Sequence, residues 1–187
     1  TLAWLTHESL NCIPIGYKKK QPLVKWTVYQ HRKVKQQELD AWFNGKETNI
    51  AVVCGKISGG LFVVDVDDNE LAMVLRRKLP TTTTVRSSKG LHFYYKTEKE
   101  LKKTRWEFIP VSTPSELLAK TRDRTSEVVR LQALQDIIKG VDIQAEGSYV
   151  VAPPSVHPSG INYSFENKAP IASVTFEDIR DLIHSVA

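Results

Sequence analysis

Leu61-Phe62-Val63-Val64-Asp65-Val66-Asp67 is an apolar run that ends in two acids separated by one valine. Four consecutive apolar residues predict a buried strand. Side chains two apart on a strand share a face, so Asp65 and Asp67 converge where that strand runs out into solvent. Like charges so close repel, and a cation between them relieves the repulsion. A hard, oxygen-seeking ion such as Mg²⁺ or Mn²⁺ suits such a pair, commonly with substrate phosphates completing the shell. A strand end decorated with acids, continued by Asp68 as a helix N-cap, is the plainer alternative.

Outward from this stretch, turns and periodicity predict the neighbouring elements. Ile50 to Cys54 precedes it across Ser58-Gly59-Gly60, which reads as a hairpin. Helical spacing of Leu71, Met73, Val74 and Leu75 predicts a helix over Asn69 to Leu79, closed by Pro80. Strands follow at Thr82 to Arg86 and Leu91 to Tyr95 around a polar turn, then at Val141 to Gln144 and Tyr149 to Ala152 around Glu146-Gly147-Ser148, with another near Ile161 to Phe165. Short helices are expected at Leu2 to Leu10 and Glu38 to Phe43, a strand at Cys12 to Ile15, and a final helix at Thr175 to Val186. From Lys96 to Gly140 the pattern is least legible, with helix expected at Ser115 to Lys120 and helix or strand at Val128 to Ile138. The sum is an α+β domain of mostly antiparallel sheet with flanking helices.

Composition agrees with one folded domain spanning 1–187: 41% of the residues are hydrophobic and 25% charged. No apolar stretch approaches the ~20 residues a membrane span needs, so no membrane association is expected. Only Cys12 and Cys54 occur, without zinc-ligand spacing, and a reducing, cytoplasmic setting is the default. The start carries neither a signal-peptide core nor Met, and reads as a processed chain or a piece of a longer protein. A net charge of +5 is modest, but Lys18, Lys19, Lys20, Lys25, Arg32, Lys33 and Lys35 crowd one segment among Tyr17, Trp26 and Tyr29. Cations beside rings that can stack bases fit single-stranded nucleic acid, and a solvated basic loop is the alternative.

Two further segments carry chemistry. Arg86-Ser87-Ser88-Lys89-Gly90-Leu91-His92 offers donors suited to phosphate oxygens, and Gly90 permits close backbone approach. Asp142 interrupts the apolar strand Val141 to Gln144, where a buried carboxylate requires a partner or a metal, and a surface position on a half-exposed strand is the plainer alternative. Pro153-Pro154 then ends Tyr149-Val150-Val151-Ala152 in a rigid wall.

In this order, Asp65-Val66-Asp67, Gly90-Leu91-His92, Asp142 and Tyr149-Val150-Val151-Ala152-Pro153-Pro154-Ser155 resemble the bifunctional primase-polymerase domain of plasmid, phage and mobile-element replication proteins, in the archaeo-eukaryotic primase superfamily. The resemblance implies an RNA-recognition-motif-like catalytic core and a primase and DNA polymerase that starts or extends a strand on single-stranded DNA. It implies Asp65, Asp67 and Asp142 as ligands of two Mg²⁺ or Mn²⁺ ions. His92, with Ser88, Lys89, Gly90 and Arg86, would bind the incoming nucleoside triphosphate. Lys20, Lys25 and Trp26 are the candidates for template contact, a primer strand would share the groove, and a helicase domain is the usual neighbour. A catalytically inactive single-stranded nucleic-acid-binding module of the same fold is the main alternative. Other Asp-x-Asp enzymes usually sit in parallel α/β sheets, which the antiparallel pattern disfavours.

Overall fold

The computed structural model describes residues 2–45, 47–108 and 139–186. Along the chain come α1 (Leu2–His7), β1 (Asn11–Gly16), a short 3-10 turn (Trp26–Gln30), α2 (Gln36–Trp42), β2 (Thr48–Val53), β3 (Leu61–Val66) and α3 (Asn69–Lys78). They are followed by β4 (Thr84–Arg86), β5 (Leu91–Lys96), β6 (Thr104–Phe108), β7 (Lys139–Gln144), β8 (Tyr149–Ala152), β9 (Ser164–Asn167), β10 (Ala172–Ser173) and α4 (Phe176–His184). The strands form two sheets. One has the order β1-β2-β8, and the larger has the order β6-β7-β3-β5-β4-β9, with β10 beside β5. Every pairing is antiparallel except the short β10–β5 contact. The fold is thus α+β and mainly antiparallel, as the sequence pattern predicts.

β3 lies inside the large sheet, and its alternate side chains enter two separate cores. Leu61 and Val63, with Tyr94 and Val85, pack on Cys12, Val52, Cys54 and Val150 of the small sheet. Phe62, Val64 and Val66 face the other way, onto Leu71, Ala72 and Leu75 of α3 and Ile179 and Ile183 of α4. Each such side chain, fully removed from water, contributes about 1.5–3 kcal/mol. Asp68 caps α3 as its place in the sequence suggests, accepting from the Leu71 amide at 2.8 Å, and Thr175 caps α4, accepting from the Asp178 amide at 3.2 Å.

Two expected hairpins are not hairpins. β2 pairs with β1 and β8, whereas β3 pairs with β5 and β7, so the chain changes sheets at Gly55 and keeps only one bridge, Gly55 to Leu61. Likewise β7 and β8 belong to different sheets and are joined, not paired, by the Glu146 to Ser148 turn. A turn signal reports that the chain reverses; which strand then supplies the hydrogen bonds is a long-range choice. β6 lies in the stretch with no legible pattern, and the expected strand at Ile161 to Phe165 begins at Ser164, leaving Ile161 half exposed. The expectations at Ser115 to Lys120 and Val128 to Ile138 lie outside the described residues.

Buried polar clamps tie the irregular segments to the small sheet. Asn11 donates to the carbonyls of Tyr29 (2.7 Å) and Arg32 (3.2 Å) and accepts from the Val34 amide (2.8 Å), pinning the end of the basic segment to β1. Asn49 exchanges two hydrogen bonds with the Val156 backbone, and Ser155 two with that of Ile50. The loop after β8 is therefore fixed on β2, because leaving such buried groups unpaired costs about 1–3 kcal/mol each.

Gly90 sits where the β4–β5 turn closes on the end of β3. A Cβ there would fall 1.9 Å from the Val66 carbonyl oxygen. Gly90→Ala is expected to destabilise by about 1–3 kcal/mol, since backbone must move. Gly147→Ala, at φ +81° with nothing within 4 Å of its Cβ, carries only the left-handed penalty of about 1–2 kcal/mol. Urea denaturation midpoints compare the two, with Gly90→Ala expected to show the larger loss.

Candidate active site

Strand register assembles the site. Val85, His92, Asp65, Asp142 and Arg105 stand opposite one another in turn across β4, β5, β3, β7 and β6. Directly opposed residues on antiparallel strands project from one face. This is the face of Val63, Tyr94 and Val85, turned toward the small sheet. Asp67 follows just past the end of β3 and is exposed. Residues distant in sequence, 65, 92 and 142, thus meet in one row.

The charges in that row are unequally held. His92 is 6% exposed, and its Nε2 lies 3.2 Å from Asp65 Oδ1. That oxygen is buried and accepts no hydrogen bond; His92 Nδ1 and the Tyr94 hydroxyl are likewise buried without a partner. Burial pushes the Asp65 carboxyl up, but the His92 imidazole beside it, followed by Lys20, brings it below its ordinary value. Asp142 moves the opposite way. Burial raises its carboxyl and the Asp65 charge raises it further, against the opposing pull of Arg105. Arg105 Nη1 donates to Asp142 Oδ2 at 2.7 Å, over a bare Gly140 whose Cβ would collide with the guanidinium at 2.3 Å.

A cleft of about 310 Å³ opens beside the row, between the large sheet and the β8 edge of the small one. Of the residues singled out in the sequence, Asp65, Asp67, His92, Ser88, Lys89, Lys20 and Trp26 line it. Asp142 shares the sheet face but is engaged by Arg105 and lies off this lining. Gly90 does not line the cleft; its close approach is to Val66. Arg86 is bound to Glu166 through Nε (2.8 Å) and Nη2 (3.1 Å), and Lys25 is exposed outside the cleft. Trp26 packs edge-on against Tyr149 at 4.9 Å, forming a wall of the cleft; the exposed apolar side chains of its segment are Tyr17, Leu23 and Val28.

Tyr149 and Gln144, from strands already read in the sequence, also line the cleft, as do Tyr163 and Lys103, and Arg105 closes the row; Tyr163, Lys103 and Arg105 are not singled out in the sequence. Lys103 and Arg105 belong to the illegible stretch, and Tyr163 looks like an ordinary strand aromatic. A larger hollow, about 1110 Å³, opens at the opposite end of the same strands around Leu61, Lys96 and Ala145. Its charges serve the fold: Lys99 pairs with Glu177, and Glu146 accepts from the Lys56 amide.

Among the described residues, no three His, Cys, Asp or Glu side chains stand close enough to hold a metal ion as placed. The donor chemistry of the row nonetheless fits a hard divalent cation. Asp65 Oδ1 is an unpartnered buried carboxylate oxygen, Asp67 lies beside it in the cleft, and Asp142 is its cross-strand partner.

No curated protein sequence matches the chain. The family described as "Bifunctional DNA primase/polymerase, N-terminal" matches residues 2–175, a span that contains the small sheet, the acid row and the cleft. The chain belongs to this primase-polymerase family.

Proposed function

We propose that this domain is a DNA-templated nucleotidyltransferase that makes primers or extends DNA on a single-stranded template with the help of two divalent ions. The family supports primase and polymerase chemistry in general. The observation that carries the specific reading is the cross-strand register of His92, Asp65 and Asp142 beside a cleft that also holds Asp67, Lys20 and Lys89. Mg²⁺ or Mn²⁺, held by Asp65, Asp67 and Asp142, would supply charge that activates a 3′-hydroxyl and neutralises the leaving pyrophosphate.

The chain's own groups do the rest. The Ser87 hydroxyl accepts from the Lys89 and Gly90 amides, which sets the turn and leaves the Ser88 hydroxyl and the Lys89 ammonium for the triphosphate of the incoming nucleotide. His92, anchored beside Asp65, offers an imidazole to the same phosphates. Lys20 brings positive charge to the cleft wall, Trp26 shapes that wall, and Lys25 extends the positive surface outward for the template. A primer terminus would lie between them and the acids. The setting we infer is the cytoplasmic replication machinery of a plasmid or phage, with this single domain part of a longer protein that carries or recruits a helicase. No helix among the described residues is long and apolar enough to cross a membrane.

One observation favours a second reading, a single-stranded nucleic-acid-binding module without catalysis: Arg105 already neutralises Asp142. Incubation with single-stranded DNA, labelled nucleotides and Mg²⁺ or Mn²⁺ separates the two. Product is expected from the wild type, lost on chelation, and reduced by at least about a hundredfold in Asp65→Ala and Asp142→Ala. Template binding without synthesis under either metal supports the binding module, and product that survives both substitutions rejects the metal assignment. Separately, Lys20→Ala and Lys25→Ala are each expected to weaken template binding and lower the slope of log affinity against log salt by about one. Unchanged slopes in a fluorescence-anisotropy titration place the template elsewhere.

A further inference from the structure

Tyr163 lines the same cleft, although its role is not visible in the sequence pattern. It closes the loop that follows β8, donating its amide to the Ser155 carbonyl at 2.8 Å, and that loop is fixed on β2 through Ser155 and Asn49. Its ring is held between two histidines, 5.9 Å from His92 and 6.1 Å from His157, centroid to centroid. Only 5% of the residue is exposed. A tyrosine with so little exposure that still forms part of a cleft wall shows that cleft a small, fixed portion of itself. Burial, reinforced by the charges of Asp65 and Asp67, pushes its hydroxyl up to about 12, so it remains an O–H donor at neutral pH.

We propose that Tyr163 is a nucleotide-contacting residue, with its hydroxyl donating to a phosphate oxygen of the incoming nucleoside triphosphate beside His92. The inference rests on the nucleotidyltransferase reading and deepens it. Three physical points support it. Phenylalanine would pack against both imidazoles equally well, so the hydroxyl is the one part of this side chain that ring packing does not account for. An anionic ligand entering next to Asp65 and Asp67 is repelled by their charge, so donors close to those acids contribute directly to holding it. Lys20, Lys89 and His92 line the same cleft and supply positive or donor groups, to which Tyr163 adds a neutral donor that does not depend on pH near neutrality.

The test compares Tyr163→Phe, which keeps the ring between the histidines, with Tyr163→Leu, which removes it. Steady-state incorporation gives KM and kcat. Calorimetric titration with an α,β-imido deoxynucleoside triphosphate and Mg²⁺ gives Kd without chemistry, and thermal melting reports folding. Tyr163→Phe is expected to raise KM and Kd by about tenfold, the loss of one hydrogen bond to a charged group, with kcat and melting temperature unchanged. Tyr163→Leu is expected to lower kcat as well, because His92 loses its packing partner. A Tyr163→Phe protein with wild-type KM and Kd overturns the proposal, whatever Tyr163→Leu does. If the wild type makes no product, the nucleotidyltransferase reading fails and Kd alone decides: weaker analogue binding by Tyr163→Phe sustains the contact, whereas equal binding, or none by the wild type, overturns it.

Discussion

The burial of β3 on both of its faces is the constraint from which the site follows. A strand with a core on each side cannot slip by one residue, because a slip would carry Leu61 and Val63 into the helix-covered core and Phe62 and Val64 into the small-sheet core. Hydrogen bonds to β5 and β7 then hold both neighbours in the same register. Asp65 is the first polar residue on the small-sheet face of this strand, and it meets His92 on one side and Asp142 on the other. The row of His92, Asp65 and Asp142 is a by-product of core packing, which is why it needs little help from its own polar groups to stay aligned.

Electrostatics gives the row its character. Asp65 and Asp142 face each other, yet their carboxyl affinities for protons move apart, the first lowered by its histidine and the second raised by burial and by the first. Such separation distinguishes carboxylates with different neighbours within one site. Arg105 stands beside Asp142 and the His92 imidazole beside Asp65, so a nitrogen-bearing side chain flanks each acid. The cleft continues this pattern, with Lys20 arriving from the small-sheet side and Lys89 from the β4–β5 turn. Buried amides at Asn11 and Asn49 attach the parts of the chain that carry the outer wall, and so link the basic segment and the Tyr163 loop to the same framework.

Local signals were readable where local chemistry decides them. Asp68 caps its helix as its position predicts, and the apolar run Leu61 to Val64 marks a buried strand. The connections around Gly55 and Glu146 were misread as hairpins because a tight turn between two apolar strands has one appearance whether the strands pair or separate into different sheets. Gly90 shows a related limit: a glycine beside a proposed phosphate site could serve ligand or fold, and the nearness of the Val66 carbonyl assigns it to the fold. Arg86 has a side chain suited to phosphate, but alternation along β4 sends it away from the face of Val85, to Glu166. Tyr163 and Arg105 were invisible because their importance is a matter of what stands across from them.

The sequence by itself determined that the chain folds as an α+β domain, that Asp65 and Asp67 stand two apart where a buried strand ends, and which ordered motifs tie it to the primase-polymerase family. Those properties follow from side-chain alternation, capping chemistry and residue order, all of which act over a few neighbouring positions. Only the tertiary structure decided that the strands divide between two sheets, that His92 and Asp142 flank Asp65, and that the cleft is walled by Trp26, Tyr149 and Tyr163. Those properties depend on cross-strand hydrogen bonds and on two cores packing against one strand, interactions between residues far apart in the chain that no local pattern encodes.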